Sequence, residues 1–163
     1  MANTSKNTDA LEVAAVQALA ARGLTLATAE SCTGGLIAKR ITDVAGASRV
    51  FLGGAIVYTN AVKTALAGVP TEMIAQFGVV SAEVANALAS GIRERLGADF
   101  GVGVTGVAGP GADGDGNAAG LVYVALASAK GVEARRLEIN ADRDGVRAEA
   151  ADCALEMVAA ALA

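Results

Sequence analysis

One seven-residue stretch of the sequence combines two nucleophilic side chains with a carboxylate and a glycine pair. The stretch is AESCTGG, residues 29–35, in which Ser31 and Cys32 directly follow Glu30. The chain has no histidine, so a serine–histidine–aspartate triad is excluded. A general base for either nucleophile must therefore come from another residue type, and lysine is the recurring alternative.

Only one of the four lysines is suitably placed to be that base. Lys6 lies close to the N-terminus, Lys39 lies in the middle of a predicted helix, and Lys130 lies in a predicted hairpin turn. Lys63 lies in the first turn of a short predicted helix, directly after a strand, where the helix dipole disfavours its charged form. Lys63 is the candidate base, with an ordinary solvated lysine as the alternative interpretation.

The residues that follow the serine could stabilise an oxyanion. A sharp strand-to-helix turn would place the hydroxyl of Ser31 beside the N–H groups of Thr33, Gly34 and Gly35. Free N–H groups at a helix N-terminus can hold the negative oxygen of a tetrahedral intermediate. The simpler alternative is that Ser31 or Thr33 only caps the helix.

Composition narrows the class of protein. The 163 residues carry a formal charge of −4 and only 3% aromatic residues, without a run of basic residues, so nucleic acid and anionic membrane are poor partners. No secretory signal or 18-residue apolar stretch is present, which predicts a cytoplasmic protein. Cys32 and Cys153 have no metal-ligand spacing, so we expect reduced thiols and no metal site.

The hydrophobic pattern alternates between helical and strand periodicity. This predicts an α/β fold: a three-layer α/β/α single domain, residues 9–163 after a flexible segment 1–8, with a mixed, mostly parallel sheet of about five strands. Asn60 and Ser81 are the predicted N-caps of two of its helices. The predicted strands lie within residues 24–30, 50–59, 99–106, 121–131 and 132–139, and the predicted helices within 8–22, 35–46, 61–68, 81–98 and 142–163.

Three glycine-containing or polar segments follow strands of this predicted sheet. They are AESCTGG, YTNAVK and TGVAGPG. Each alone could be an ordinary turn. Ligands of such sheets bind beyond the carboxyl ends of the strands, so the three segments together predict one site at this edge.

These segments also carry a resemblance to a known family. The segments TAESCTGGLIAKRITDVAGAS, GAIVYTNAVKTALAGV, GVVS, TGVAGPG and DRDGVR resemble the C-terminal domain of the CinA family, from about residue 8 to the end. The resemblance implies a nicotinamide-nucleotide amidase that hydrolyses nicotinamide mononucleotide to nicotinate mononucleotide and ammonia. It also implies a homo-oligomer, a dimer or larger, and no cofactor.

The resemblance assigns roles to individual residues. Ser31 would be the nucleophile and Lys63 its base, and Arg143 matches the family's arginine at the start of the last helix. Arg143 is also our candidate for a nearby cation that, together with burial, would lower the pKa of Lys63. Our reserve candidate for the base is Glu30. The residues expected to contact the substrate are Glu30, Tyr58, Asn60, Thr105, Gly106, Gly109 and Pro110.

The chain departs from the family in two ways. Longer relatives carry a molybdopterin-binding-like domain before the amidase domain, and we expect no activity of that domain from this sequence. After Gly111 the usual lysine-proline-valine-glycine segment is replaced by ADGDGNAAG, which changes the loop expected to close over the substrate. The alternative functions are a non-catalytic nucleotide-binding module and a hydrolase of a different amide or ester.

Overall fold

The computed structural model describes residues 8–163, with side chains from Leu11 onward, so Lys6 and all but the last residue of the predicted flexible segment lie outside the described part. The helices are α1 (Thr8–Arg22), α2 (Leu36–Thr42), α3 (Asn60–Ala67), α4 (Thr71–Phe77), α5 (Ala82–Leu96) and α6 (Arg143–Ala161), with a 3₁₀ turn at Ala47–Arg49. The strands are β1 (Leu26–Glu30), β2 (Phe51–Ile56), β3 (Phe100–Gly106), β4 (Leu121–Ser128) and β5 (Gly131–Glu138).

The five strands form one mixed sheet in the order β2-β1-β3-β4-β5. Strand β1 pairs in parallel with β2 and β3, whereas β4 is antiparallel to both β3 and β5. Four of the five strands therefore point the same way. The carboxyl ends of β1, β2 and β3 lie at one edge of the sheet, as the sequence predicts.

Helices cover both faces of the sheet, which confirms the predicted three-layer arrangement. Helices α1, α2 and α6 pack over one core, and α3, α4 and α5 pack over the other. Strand β1 divides its side chains between them, because Leu26 belongs to the first core and Ala27 and Ala29 to the second. This alternation is the expected consequence of the two-residue strand period.

A buried ionic cluster joins the three helices on the first face. The guanidinium of Arg40 in α2 donates to both carboxylate oxygens of Glu12 in α1 and to Asp152 in α6, each at 2.8 Å. All three side chains are almost fully buried. Because a charge left unpaired here would be costly, the cluster fixes α2, and with it the turn that precedes α2, against the rest of the domain.

Several local predictions are confirmed and others are wrong. Ser81 caps α5, as predicted. The last hairpin turns at Ala129-Lys130, one residue before the predicted Lys130-Gly131, because Gly131 already pairs with Ser128 as the first residue of β5. The cap of α3 is Thr59 rather than Asn60, because the hydroxyl of Thr59 accepts a hydrogen bond from Val62 N. Helix α2 is also shorter than predicted, and α4 had no counterpart among the predicted elements.

The glycine pair inside β2 marks a close approach, as the sequence suggested. A Cβ atom at Gly54 would clash with the hydroxyl of Thr28 on the neighbouring strand β1. Glycine at this position therefore allows β1 and β2 to pair.

In the described part of the chain, no helix is both long and apolar enough to cross a membrane.

Candidate active site

A cavity of about 300 Å³ opens at the carboxyl edge of β1, β2 and β3. It is bounded by the chain after β1, the start of α3, the segment before α5, the loop after β3 and the start of α6. Its lining residues are Ser31, Cys32, Tyr58, Asn60, Lys63, Val79, Val80, Thr105, Gly106, Val107, Ala108, Gly109, Gly111, Asp113 and Arg143. All three predicted segments therefore contribute to one site.

A larger cavity, of about 590 Å³, lies at the opposite edge of the sheet. It is lined by the ends of α1 and α6 and by the hairpin turn between β4 and β5. Its serine, Ser128, accepts a hydrogen bond from the backbone N–H of Lys130 and so stabilises the turn. The smaller cavity is the candidate active site because it holds the nucleophiles together with a buried lysine.

Ser31 and Lys63 contact each other at the floor of this cavity. The Nζ atom of Lys63 lies 3.2 Å from Oγ of Ser31 and 3.5 Å from the carbonyl oxygen of Tyr58. Lys63 is only 2% exposed and Ser31 only 7%. The backbone N–H of Ser31 donates to Val104 O on β3, which fixes the serine at the end of the central strand pair.

Burial lowers the pKa of Lys63, and the neighbouring Cys32 partly opposes this effect. Lowering the pKa favours the neutral amine, the form that can accept a proton from a hydroxyl. The sequence had suggested Arg143 as a cation that also lowers this pKa. The structure corrects that expectation, because desolvation is the cause and Arg143 is not among the contributors.

Cys32 is the second nucleophilic atom in the cavity wall. Burial raises the pKa of its thiol to about 11. The thiolate is the reactive form of cysteine, so almost all of this thiol is unreactive near neutral pH. The hydroxyl of Ser31, in contrast, contacts the amine of Lys63, which favours the serine over the cysteine as the nucleophile.

Arg143 connects two walls of the cavity at its mouth. Its guanidinium donates to the carbonyl oxygen of Gly109 at 2.6 Å and to the hydroxyl of Tyr58 at 3.2 Å. Tyr58 itself is 59% exposed. A guanidinium has five N–H groups, so Arg143 can hold the loop after β3 and still offer donors to a ligand.

Thr105 and Gly106 shape the wall formed by β3. The hydroxyl of Thr105, which is buried, donates to Val79 O at 2.8 Å and so holds the segment before α5 against the strand. A Cβ atom at Gly106 would lie 2.8 Å from the carbonyl oxygen of Leu121. Thr105 therefore positions the wall, and Gly106 must be glycine for β3 and β4 to pair closely.

Some predicted site residues do not reach the cavity. Glu30 is 1% exposed, and its carboxylate accepts hydrogen bonds from Ile37 N and Ala38 N at the start of α2, at 2.9 and 3.1 Å. It caps a helix and faces away from the cavity wall. Pro110 also is absent from the lining, although Gly109 and Gly111 on either side belong to it.

The predicted oxyanion donors are also displaced from the cavity. Thr33, Gly34 and Gly35 do not line it, and Gly34 N donates to Ser31 O. The free end of α2 is already occupied by the carboxylate of Glu30. The sequence does not show that the turn leaves Thr33, Gly34 and Gly35 outside the cavity lining, nor that a buried glutamate at the end of β1 would accept from the amides that follow them, Ile37 N and Ala38 N.

The structure adds two residues that sequence reasoning missed. Asp113, in the altered loop, lines the cavity. Arg147, one turn after Arg143 in α6, donates to the carbonyl oxygen of Thr33 at 3.1 Å and so holds the turn after the serine. The acidic composition of ADGDGNAAG was a visible signal for the first, whereas the second depends on how α6 packs.

The fold and the cavity define a class of protein: an α/β/α domain with a buried serine–lysine contact at the carboxyl edge of its sheet. Residues 8–162 match the CinA C-terminal domain family. The chain belongs to this family, as the resemblance in the sequence indicated.

Relatives and solved structures agree with this assignment. The chain is 49% identical to a CinA-like protein of Acidobacterium capsulatum and 49% identical to one of Desulfovibrio desulfuricans, over 94% and 93% of its length. It spans only 37% and 36% of those two proteins, which are much longer.

Solved structures match over nearly their whole length. A competence/damage inducible protein of Agrobacterium tumefaciens is 37% identical with a TM-score of 0.90, and the match covers 99% of both chains. A CinA superfamily protein of Klebsiella pneumoniae is 31% identical with a TM-score of 0.93, covering 96% of this chain and 98% of the other.

Proposed function

We propose that this domain is an amidohydrolase that converts nicotinamide mononucleotide to nicotinate mononucleotide and ammonia. The observation that carries the proposal is the 3.2 Å contact between Ser31 Oγ and Lys63 Nζ in a cavity at the strand ends. Burial favours the neutral form of Lys63. A hydroxyl beside a neutral amine is the arrangement that serine–lysine acyl transfer requires. The substrate is proposed from the family resemblance.

The reaction proceeds in two half-reactions. Neutral Lys63 accepts the proton of the Ser31 hydroxyl while Oγ bonds to the carboxamide carbon. The resulting ammonium of Lys63 returns a proton to the amide nitrogen as the carbon–nitrogen bond breaks, so ammonia leaves and an ester remains on Ser31. Water then attacks this ester, with Lys63 accepting its proton, and the carboxylic acid leaves as Ser31 regains its hydrogen.

The oxyanion is assigned to an amide of a residue that lines the cavity. Ser31 N donates to Val104 O, and Val107 N donates to Leu121 O. Because successive residues of a strand point to opposite edges, the N–H of Gly106 points in the same direction as the carbonyl of Val104, towards the chain leaving β1. The N–H group of Gly106 is therefore the proposed oxyanion donor.

The phosphate of the substrate is assigned to the mouth of the cavity. Arg143 is the only arginine in the lining, and guanidinium groups bind phosphate through paired N–H groups. Tyr58 and Asn60, which come shortly before Lys63 in the chain and also line the cavity, are polar side chains available to the ribose.

The test is an assay of purified protein with nicotinamide mononucleotide, in which ammonia and the acid product are both quantified. We expect wild type to release ammonia and the acid in equal amounts. We expect Lys63→Met to release neither. Binding of the mononucleotide without release of ammonia would instead support a nucleotide-binding module. Release of ammonia only from other amides would support a different hydrolase.

A further inference from the structure

The charges around the cavity are balanced. Among the residues whose side chains are described, three in its lining can carry a formal charge at neutral pH: Lys63, Asp113 and Arg143. With Lys63 in the neutral form that the proposed mechanism requires, the charges of Arg143 and Asp113 cancel. A phosphate, which carries between one and two negative charges near neutral pH, therefore meets no net positive charge here.

Asp113 is held rigidly as a carboxylate by its own loop. Its Oδ1 accepts hydrogen bonds from Asp115 N at 3.0 Å and Asn117 N at 2.8 Å, and its Oδ2 accepts from the side-chain amide of Asn117 at 2.8 Å. The backbone N–H of Asp113 donates in turn to Asn117 O. These hydrogen bonds lower the pKa of Asp113, so the carboxylate stays ionised over the whole neutral range.

The loop therefore places a negatively charged residue in the lining of the cavity. Among the described residues, the donors that hold Asp113 are uncharged amides. Gly109 and Gly111, on the same loop, also line the cavity, and Gly109 is bonded to Arg143. Arg143 and Asp113 thus both lie along the part of the cavity that this loop and the start of α6 form.

We propose that Asp113 is a specificity-determining residue that disfavours phosphate-bearing substrates and widens the substrate class of this site to phosphate-free pyridinium carboxamides, such as nicotinamide riboside. The inference rests on the proposed amidase function. The riboside carries one positive charge on its ring, so Asp113 attracts it. The mononucleotide adds a phosphate, which Asp113 repels.

The experiment compares kcat/KM for nicotinamide mononucleotide and nicotinamide riboside in wild type and in Asp113→Asn, at low salt. Asparagine keeps an oxygen that can accept from the amides of Asp115 and Asn117 but removes the charge. If the Asp113 carboxylate lies about 8 Å from a phosphate in water, their Coulomb energy changes the ratio of kcat/KM for the mononucleotide to kcat/KM for the riboside by roughly two- to sixfold. We expect the ratio to rise by this factor, and the rise to shrink at about 1 M salt.

Asp115→Asn is the matched control. It removes the same charge from the same loop, but Asp115 does not line the cavity. We expect its ratio to stay within a factor of two of wild type. If Asp113→Asn does not fold, Asp113→Ser is the second variant, because serine keeps a hydroxyl acceptor for the turn. We expect the same rise of the ratio in Asp113→Ser.

The outcomes separate this inference from the proposed function. An active wild type with an unchanged ratio in the folded Asp113 variants would overturn the inference and leave the amidase assignment intact. An equal rise in Asp115→Asn would overturn the assignment to Asp113 specifically. Failure of wild type to release ammonia from either compound would overturn both.

Discussion

The Oγ atom of Ser31 and the Nζ atom of Lys63 lie 3.2 Å apart, although 32 positions separate the two residues in the chain. Strand β1 delivers the serine and the helix after β2 delivers the lysine, and the parallel pairing of these strands brings their carboxyl ends together. The contact is therefore a direct product of the sheet topology.

The first prediction concerns the pH dependence of activity. Below its folded-state pKa, Lys63 is protonated and cannot accept the hydroxyl proton, so kcat/KM should rise with pH through that value. Burial lowers the pKa, so we expect the rise to begin below the usual lysine value, near 10.4. Lys63→Met should lose at least about 100-fold in kcat/KM and lose the rise.

Arg143→Ala serves as a control for this profile. Since Arg143 does not contribute to the pKa of Lys63, the midpoint should stay in place while kcat/KM falls. Substantial activity of Lys63→Met with an unchanged profile would rule out the serine–lysine mechanism.

The second prediction concerns stability and follows from the same buried amine. Between the lowered pKa of folded Lys63 and the unfolded value near 10.4, the unfolded chain binds a proton that the folded chain lacks. The free energy of unfolding therefore increases as the pH rises through this window. Lys63→Met lacks this effect and should be more stable than wild type at pH 7.

Urea unfolding at pH 7 and near pH 10 measures this difference. The advantage of the methionine variant should shrink at the higher pH, because fewer unfolded wild-type chains then carry the proton. A difference that is the same at both pH values would contradict the account.

The third prediction concerns Glu30, which the sequence offered as a reserve base. Because its carboxylate accepts from Ile37 N and Ala38 N, Glu30→Ala should lower the free energy of unfolding by about 1–3 kcal/mol. Glu30→Gln keeps one acceptor oxygen and should lose less. Loss of the pH-dependent rise in activity in a folded Glu30→Gln would identify Glu30 as the base and contradict its role as a cap.

The fourth prediction concerns Arg143. Arg143→Lys keeps the charge but not the planar arrangement of donors that reaches both Gly109 O and Tyr58 Oη. We expect Arg143→Ala to raise KM for nicotinamide mononucleotide by about tenfold and Arg143→Lys to raise it less. For nicotinamide riboside, the change in Arg143→Ala should be smaller. Equal losses on both compounds would mean that Arg143 acts by positioning the loop and not by binding phosphate.

Much of the fold was accessible from the sequence because strand and helix periods alternate clearly and glycines mark the turns. The pairing of Ser31 with Lys63 followed from elimination among four lysines and from the rule that parallel strands end at the same edge. These inferences use local pattern and topology only.

The remaining features depend on tertiary contacts. The sequence predicted the oxyanion site at Thr33, Gly34 and Gly35, but these residues do not line the cavity. Glu30 instead accepts from the amides that follow them, Ile37 N and Ala38 N. Arg147 reaches Thr33 O only because α6 packs beside that turn. Burial, which lowers the pKa of Lys63, is likewise a property of the packed chain.

The central claim is that Ser31 is the nucleophile, and ammonia release by Ser31→Ala and Cys32→Ala tests it most directly. The two residues are adjacent, both line the cavity and both variants end in the same methyl group, so each controls for the other. With nicotinamide mononucleotide at saturation and folding confirmed by circular dichroism, Ser31→Ala should lose at least about 1,000-fold in kcat. Cys32→Ala should stay within about threefold of wild type, because a thiol with a pKa of about 11 is not ionised at neutral pH. An active Ser31→Ala beside an inactive Cys32→Ala would show a thiol enzyme and contradict the account.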